Sequence, residues 1–127
     1  ENMKHVGYLY HNENDDNSPF WSRIFSDMDD WSERQNIQMF NKAINTMNIK
    51  NNRKSNNLIK GMIMGHSPQF MFDRGINSSN NNRIWRVDIG ASRAFGKVDN
   101  SDECQHRKVQ VLVINDDNNF SIVKERC

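Results

Sequence analysis

Residues 58–64 form an apolar run, Leu-Ile-Lys-Gly-Met-Ile-Met, that leads directly into the turn Gly65-His66-Ser67-Pro68. This run predicts a buried β-strand that ends near residue 64. Gly65 lets the backbone turn where a side chain would clash, and Pro68 cannot donate to a continuing hydrogen-bond ladder. The chain is therefore expected to contain a sheet, with His66 at a strand end where an imidazole can bind a metal ion or a phosphate.

His66 has two interpretations when its residue type is considered alone. A single histidine beside an apolar segment is more often a hydrogen-bonded structural residue than a metal ligand. The elements on either side of it give more weight to the ligand interpretation.

A helix is predicted over about residues 32–48. Residues 32–35, Ser-Glu-Arg-Gln, have the form of a capping box. In this motif the Ser32 side chain bonds a backbone amide of the first helical turn, and the Gln35 side chain reaches back to the backbone amide of Ser32. Apolar residues then recur at spacings of three and four, which indicates one buried helix face. They are Ile37, Phe40, Ile44 and Met47.

The second half of the chain has the patterns of β-structure. Residues 84–90 alternate, so that Ile84, Arg86, Asp88 and Gly90 share one, polar face while Trp85, Val87 and Ile89 share an apolar face. Residues 109–114 and 120–123 predict an antiparallel hairpin, and residues 78–82 a tight exposed loop. Phe70, Met71 and Phe72 are expected to pack beneath the His66 turn. The fold class predicted is α/β, with a mixed sheet, one main helix and a C-terminal β-hairpin.

Length, charge and hydropathy restrict the class of protein. The chain has 127 residues, of which 35% are hydrophobic, and a formal net charge of +1 from 17 basic and 16 acidic residues. This size fits one domain, predicted over residues 18–127, after a polar and mobile segment at 1–17. The near-zero net charge gives no reason to expect nucleic acid or a membrane surface as the main partner. We expect a soluble, intracellular protein, in which Cys104 and Cys127 are free thiols.

The order of these segments resembles the C-terminal part of calcineurin-like metallophosphoesterases, especially the Shewanella-like branch related to phosphoprotein phosphatases. In that branch a helix leads to a hydrophobic strand and a Gly-His-Thr-Pro-Gln turn. The corresponding turn here is Gly65-His66-Ser67-Pro68-Gln69, with serine in place of threonine. A later strand of the form Ile-Trp-Arg-Val-Asp-Val-Gly resembles residues 84–90, and a closing hairpin follows in both. Upstream, residues 18–23, Ser-Pro-Phe-Trp-Ser-Arg, resemble the family segment Pro-Leu-Trp-x-Arg.

The resemblance implies a partial calcineurin-like sandwich and roles for three residues. His66 would be a ligand of a two-metal site holding Mn, Fe or Zn, in which metal-bound hydroxide attacks a phosphorylated substrate. Arg23 would bind phosphate oxygens through its planar guanidinium, although a surface arginine packed on Trp21 is an equally good interpretation. Asp88 would orient a metal ligand, but a strand-end aspartate more often caps a turn or pairs with an arginine.

Three other metal motifs of the family, Asp-x-His, Gly-Asp-x-x-Asp-Arg-Gly and Gly-Asn-His-Asp/Glu, do not occur in this sequence. A single imidazole cannot hold two metal ions, so catalysis by these residues alone is not expected. The chain is therefore interpreted as the C-terminal portion of a phosphoesterase that needs a missing N-terminal half or a partner chain. The alternatives are a truncated, non-catalytic relative acting as a binding or structural module, and an unrelated small α/β interaction domain.

Overall fold

A computed structural model describes residues 23–26, 33–96, 106–116 and 119–126, and these residues form a mixed α/β fold. The helix α1 comprises Glu33–Lys50, and the strands are β1 (Met62–Met64), β2 (Asn77–Ser79), β3 (Ile84–Arg86), β4 (Gln110–Asp116) and β5 (Asn119–Lys124). Short 3₁₀ helices occur at Ser55–Asn57, Gln69–Phe72 and Arg93–Phe95. The predicted segment 1–17 and the cysteines at 104 and 127 lie outside the described residues.

The described strands form two sheets. In the first the order is β1-β3-β2, with β1 parallel and β2 antiparallel to the central strand β3. The second is the antiparallel pair β4-β5, whose register places Val111 opposite Val123 and shifts between Ile114 and Asp116. The mixed sheet and the C-terminal hairpin predicted from the sequence are thus confirmed.

The predicted helix is confirmed, and its central apolar residues form one half of the core. Phe40 and Ile44 are 2% and 3% exposed and pack with Ile84 of β3. Met47, the last residue of the predicted stripe, is 40% exposed. Ser32 is not among the described residues, so the capping box stays a prediction. The helix thus buries the middle of its predicted apolar stripe and leaves the last residue of that stripe exposed.

The strand after the helix is shorter than predicted, because β1 begins only at Met62. The backbone of Ile59 bonds a side chain instead of a neighbouring strand: its amide donates to Asn48 Oδ1 at 2.8 Å, and its carbonyl accepts from Asn48 Nδ2 at 3.0 Å. One carboxamide thus satisfies both polar groups of the peptide backbone that a sheet would otherwise pair.

The predicted division of residues 84–90 between two faces is confirmed, but the face assigned as polar is buried in its first part. Ile84 and Arg86, which were assigned to this face, are 0% and 2% exposed. Ile84 packs against α1, whereas Trp85, on the other face, packs with Ile76, Ile89 and the hairpin. A strand that is covered on both faces does not need an alternating pattern of burial.

The segment predicted as an exposed loop at 78–82 is partly a strand. Ser78 and Ser79 belong to β2, and the connection to β3 is a turn in which Asn80, Asn81 and Asn82 all have positive φ. Asparagine tolerates this left-handed conformation better than most residues. The indole of Trp85 donates to the carbonyl of Asn82 at 2.9 Å, which fixes the turn against the core.

Within the part of the chain that the structure describes, no helix is both long and apolar enough to cross a membrane.

Candidate functional site

Two of the predicted site residues follow the carboxyl ends of neighbouring parallel strands. Met64 is the partner of Arg86 in the β1-β3 register, and the amide of Val87 donates to the Met64 carbonyl at 3.0 Å. His66 comes two residues after β1, and Asp88 two residues after β3. The parallel pairing therefore brings His66 and Asp88 to the same edge of the sheet, which is the usual location of sites in α/β proteins.

Gln69 ties this edge together from the inside. Its backbone amide donates to the Asp88 carbonyl at 2.7 Å, and its Nε2 donates to the carbonyls of Ser67 at 2.9 Å and Ser26 at 3.3 Å. Its Oε1 accepts a hydrogen bond from Asn77 Nδ2 at 2.9 Å, and the residue is 0% exposed. The turn at 23–26 and the segments containing His66 and Asp88 are thus joined through the backbone amide and the side chain of one buried residue.

His66 is exposed and has a φ of 68°. Non-glycine residues adopt this left-handed conformation at an energetic cost, and such positions are more common at functional sites than elsewhere. The adjacent Ser67 is buried and Pro68 half-buried, so the turn is anchored while the imidazole lies at the surface. This placement leaves the metal-ligand role of His66 a prediction.

Asp88 makes the local contact that a strand-end aspartate often makes. Its Oδ1 accepts a hydrogen bond from the amide of Gly90 at 2.9 Å, and Gly90 has a φ of 62°. The side chain of Phe70 lies where a Cβ of residue 90 would be. Met71, which was also expected to pack beneath the His66 turn, is instead 63% exposed. The turn-capping interpretation of Asp88 is supported by this bond, and a role in orienting a metal ligand stays a prediction.

Arg23 is exposed and begins the short turn at 23–26. Its carbonyl accepts hydrogen bonds from the amide and the hydroxyl of Ser26 at 3.0 and 3.2 Å. Because the carbonyl of Ser26 bonds Gln69, this turn lies beside the His66 segment. Trp21 lies outside the described residues. Phosphate binding by Arg23 and its packing on Trp21 therefore both stay predictions.

Arg86 is a buried cation that the sequence patterns did not single out as a site residue. Its Nε donates to the Phe25 carbonyl at 2.7 Å, and its two terminal nitrogens donate to Asn77 Oδ1 and Ser79 Oγ, each at 3.1 Å. Burial lowers the pKa of Arg86, as does the positive charge of Arg74, whereas Glu33 acts in the opposite direction. These three acceptors are uncharged, so they do not neutralise the positive charge of Arg86, which lies beneath the strand-end edge. The available sequence signal was the alternation that places Arg86 on the same side of the strand as Ile84, an apolar residue.

Among residues 23–26, 33–96, 106–116 and 119–126, no three histidine, cysteine or acidic side chains cluster in a way suited to a metal ion. His66 is one candidate ligand, and Asp88 is engaged in its own turn. The described residues therefore fit a two-metal centre only if further ligands come from elsewhere.

Comparison with known proteins gives one similar sequence. The chain is 30% identical over 115 residues to uncharacterized protein R398 of Acanthamoeba polyphaga mimivirus, an alignment that covers 86% of this chain and 41% of that protein. The chain thus spans about two fifths of the length of this viral relative. No protein-family model matches the sequence, and no solved structure matches it.

Proposed function

We propose that this chain is the C-terminal portion of a calcineurin-like phosphoesterase domain, in which His66 is a metal ligand and Arg23 binds the substrate phosphate. The observation that carries the proposal is the convergence of the His66 and Asp88 segments at the carboxyl edge of the β1-β3 pair, with the 23–26 turn joined to them through Gln69. The order of motifs along the sequence supports the same assignment. The reaction of the complete domain would be hydrolysis of a phosphomonoester or a phosphoprotein.

The charges at this edge are suited to an anionic substrate. Arg23 is exposed beside the His66 turn, and the buried guanidinium of Arg86 adds a fixed positive charge below it. An arginine matches two phosphate oxygens with its planar group of donors. The chain alone is expected to be inactive, because the remaining metal ligands would come from an N-terminal half or a partner chain.

A non-catalytic relative of such enzymes is the second candidate, and the packing of β3 favours it. Both faces of β3 are covered by described residues, α1 on one side and the hairpin on the other. The Asp88 side chain also has a local role. Under this alternative the chain is a self-contained binding or structural module, and His66 has no metal to bind.

Manganese titration followed by NMR distinguishes these two candidates. In ¹H–¹⁵N spectra of the chain, paramagnetic Mn²⁺ is expected to broaden first the amides of residues 64–69 and 87–90, because His66 would capture the ion weakly at that edge. His66→Ala should abolish this selective broadening. His106→Ala is the matched control, since the structure places His106 in a different segment before β4, and this variant should retain the broadening.

Hydrolysis of p-nitrophenyl phosphate and the amount of metal bound to the protein are measured in the same samples. No turnover together with His66-dependent broadening supports the proposal. His66-dependent turnover also supports it and shows that ligands outside the described residues complete the site. Broadening that is unchanged in His66→Ala, or turnover that does not depend on His66, would contradict it.

A further inference from the structure

The opposite, amino-terminal edge of the β1-β3 pair has a cavity that the proposed phosphoesterase role does not use. The cavity has a volume of about 580 Å³ and lies between the segment leading into β1, the turn before β3 and the hairpin. This size is within the range of small-molecule sites in proteins, which are usually 300–1,000 Å³. Because His66 and Asp88 follow the other ends of the same strands, the two sites are separate.

The lining of the cavity combines apolar and cationic groups. Ile63, Ile114 and Phe120 contribute apolar surface, and the first two are 52% and 48% exposed. Lys60 and Arg83 contribute positive charge, and the described residues that line the cavity include no aspartate or glutamate. An occupant that complements this lining has an apolar body and an anionic group.

Arg83 is held in place at the edge of the cavity. Its Nε donates to the Lys60 carbonyl at 2.8 Å, its Nη1 donates to Asn41 Oδ1 at 2.8 Å, and the guanidinium carbon lies 5.6 Å from the centre of the Phe40 ring. These contacts use two of the five N–H groups of the guanidinium. A cation that is already ordered loses little conformational entropy when an anion binds to it.

The surrounding sequence strengthens the positive field. From Arg34 to Phe72 the chain has six lysine and arginine residues and no acidic residue, although the whole chain has a net charge of only +1. This segment includes α1 after its first residue, Glu33, and the residues that lead into β1, and both border the cavity. Charge of one sign around a concave site raises the local concentration of oppositely charged ligands.

We propose that this cavity binds a small amphipathic anion, with its apolar body against Ile63, Ile114 and Phe120 and its acidic group beside Lys60 and Arg83. Aliphatic carboxylates and aromatic phosphates share this chemistry. A macromolecular polyanion fits the site less well, because Trp85 is 6% exposed, which leaves its ring little surface for base stacking. The inference is independent of the phosphoesterase proposal.

The test uses 1-anilinonaphthalene-8-sulfonate, an aromatic sulfonate whose fluorescence rises in apolar sites, with the full 127-residue chain. Saturable binding is expected, with NMR shifts confined to amides of the lining residues 58–63, 81–83, 114 and 120. Reversal of one nearby charge in Lys60→Glu should weaken binding about fivefold or more, and Lys60→Gln should have a smaller effect in the same direction. Lys42→Glu, an exposed position on α1 outside the lining, is the matched control and should change the affinity less than about twofold.

Competition identifies the source of the ligand. Displacement of the dye by decanoate indicates an aliphatic acid, and displacement by phenyl phosphate indicates an aromatic phosphate; either supports the proposal. Three results would overturn it: no saturable binding, equal weakening by Lys42→Glu and Lys60→Glu, or NMR shifts centred on the outer hairpin face around Val111 and Val123. Circular dichroism of each variant establishes that the compared proteins are folded.

Discussion

The two ends of the β1-β3 pair are each held by one carboxamide side chain, but in different environments. At the carboxyl end Gln69 is fully buried and joins three chain segments. At the amino end Asn48 is half-buried, its side chain bonds the backbone of Ile59, and it borders an open cavity. The carboxyl end is therefore organised to fix the positions of loop residues, whereas the amino end has room for a ligand.

The comparison shows how burial sets the energetic importance of similar hydrogen bonds. A polar group that loses its partner in the interior has no water to replace it, while a group near the surface is partly rehydrated. Substitutions at the two ends should thus differ in size for the same change in chemistry.

The largest effect is expected for Gln69→Leu, which keeps approximate side-chain volume and removes the carboxamide. The buried carbonyls of Ser26 and Ser67 lose a donor, so the free energy of unfolding should fall by about 3 kcal/mol. Urea denaturation measures the change. Gln38→Leu, on the exposed surface of α1, is the control and should change stability by less than about 0.5 kcal/mol. Equal effects at both positions would show that Gln69 is not the link assigned to it.

Gly61→Ala is expected to cause the next largest loss of stability, because β1 and β3 approach closely at the amino end. A Cβ at residue 61 would lie 2.6 Å from the Arg83 carbonyl oxygen, which already accepts a 2.8 Å hydrogen bond from the Met62 amide. The expected loss is about 2 kcal/mol, measured by thermal and urea unfolding. Gly65→Ala is the matched control, since nothing lies within 4 Å of a Cβ there. A neutral result for Gly61→Ala would mean that this end of the sheet is looser than the structure shows.

Asn48→Ala tests the weaker of the two carboxamides. Two hydrogen bonds to Ile59 are lost, but the site is half-buried, so a destabilisation of about 1 kcal/mol is expected. Asn45→Ala, one turn earlier on an exposed position, should be neutral or slightly stabilising because alanine favours the helix. Hydrogen exchange of the Ile59 amide should also accelerate in Asn48→Ala alone. If Asn48→Ala costs as much as Gln69→Leu, burial does not explain the contrast between the two ends.

An effect no larger than that of Asn48→Ala is expected at the backbone of His66. His66→Gly and His66→Ala both remove the imidazole, but only glycine relieves the cost of the positive φ of 68°. The glycine variant should therefore be more stable than the alanine variant by about 1 kcal/mol in urea unfolding. Equal stabilities would indicate that the turn relaxes when the histidine is removed, and that the strained conformation belongs to the imidazole itself.

Local patterns predicted the elements whose stability is local. The 3.6-residue period placed α1 to within two residues at its carboxyl end, and two β-rich runs separated by polar residues placed the hairpin. The turn at Gly65-His66-Ser67-Pro68 was also predicted, because proline restricts the backbone locally. The clash expected for a side chain at Gly65 is wrong, since nothing lies within 4 Å of a Cβ there and the positive φ belongs to His66. Those predictions depend on neighbours in the sequence and do not require knowledge of the packing.

The patterns failed where a distant residue replaced a local partner. The first half of the predicted strand at 58–64 is paired by Asn48, eleven residues away from Ile59. β2 has the sequence Asn-Ser-Ser, which has little strand preference, and it exists because β3 offers it an edge to pair with. Gln69 and Arg86 were not recognised as central because their importance comes from acceptors up to 61 residues away.

The amino-acid sequence by itself determined the helix, the hairpin, the turn that exposes His66 and the uneven distribution of charge, since each depends on residue types within a short span. Only the tertiary structure decided that β3 is buried on both faces, that His66, Asp88 and the 23–26 turn meet around Gln69, and that a cationic cavity lies at the opposite edge. The physical reason is that burial and hydrogen-bond pairing are properties of surfaces that come together. The surfaces that cover β3 are supplied by α1 on one side and by hairpin residues more than 20 positions later on the other.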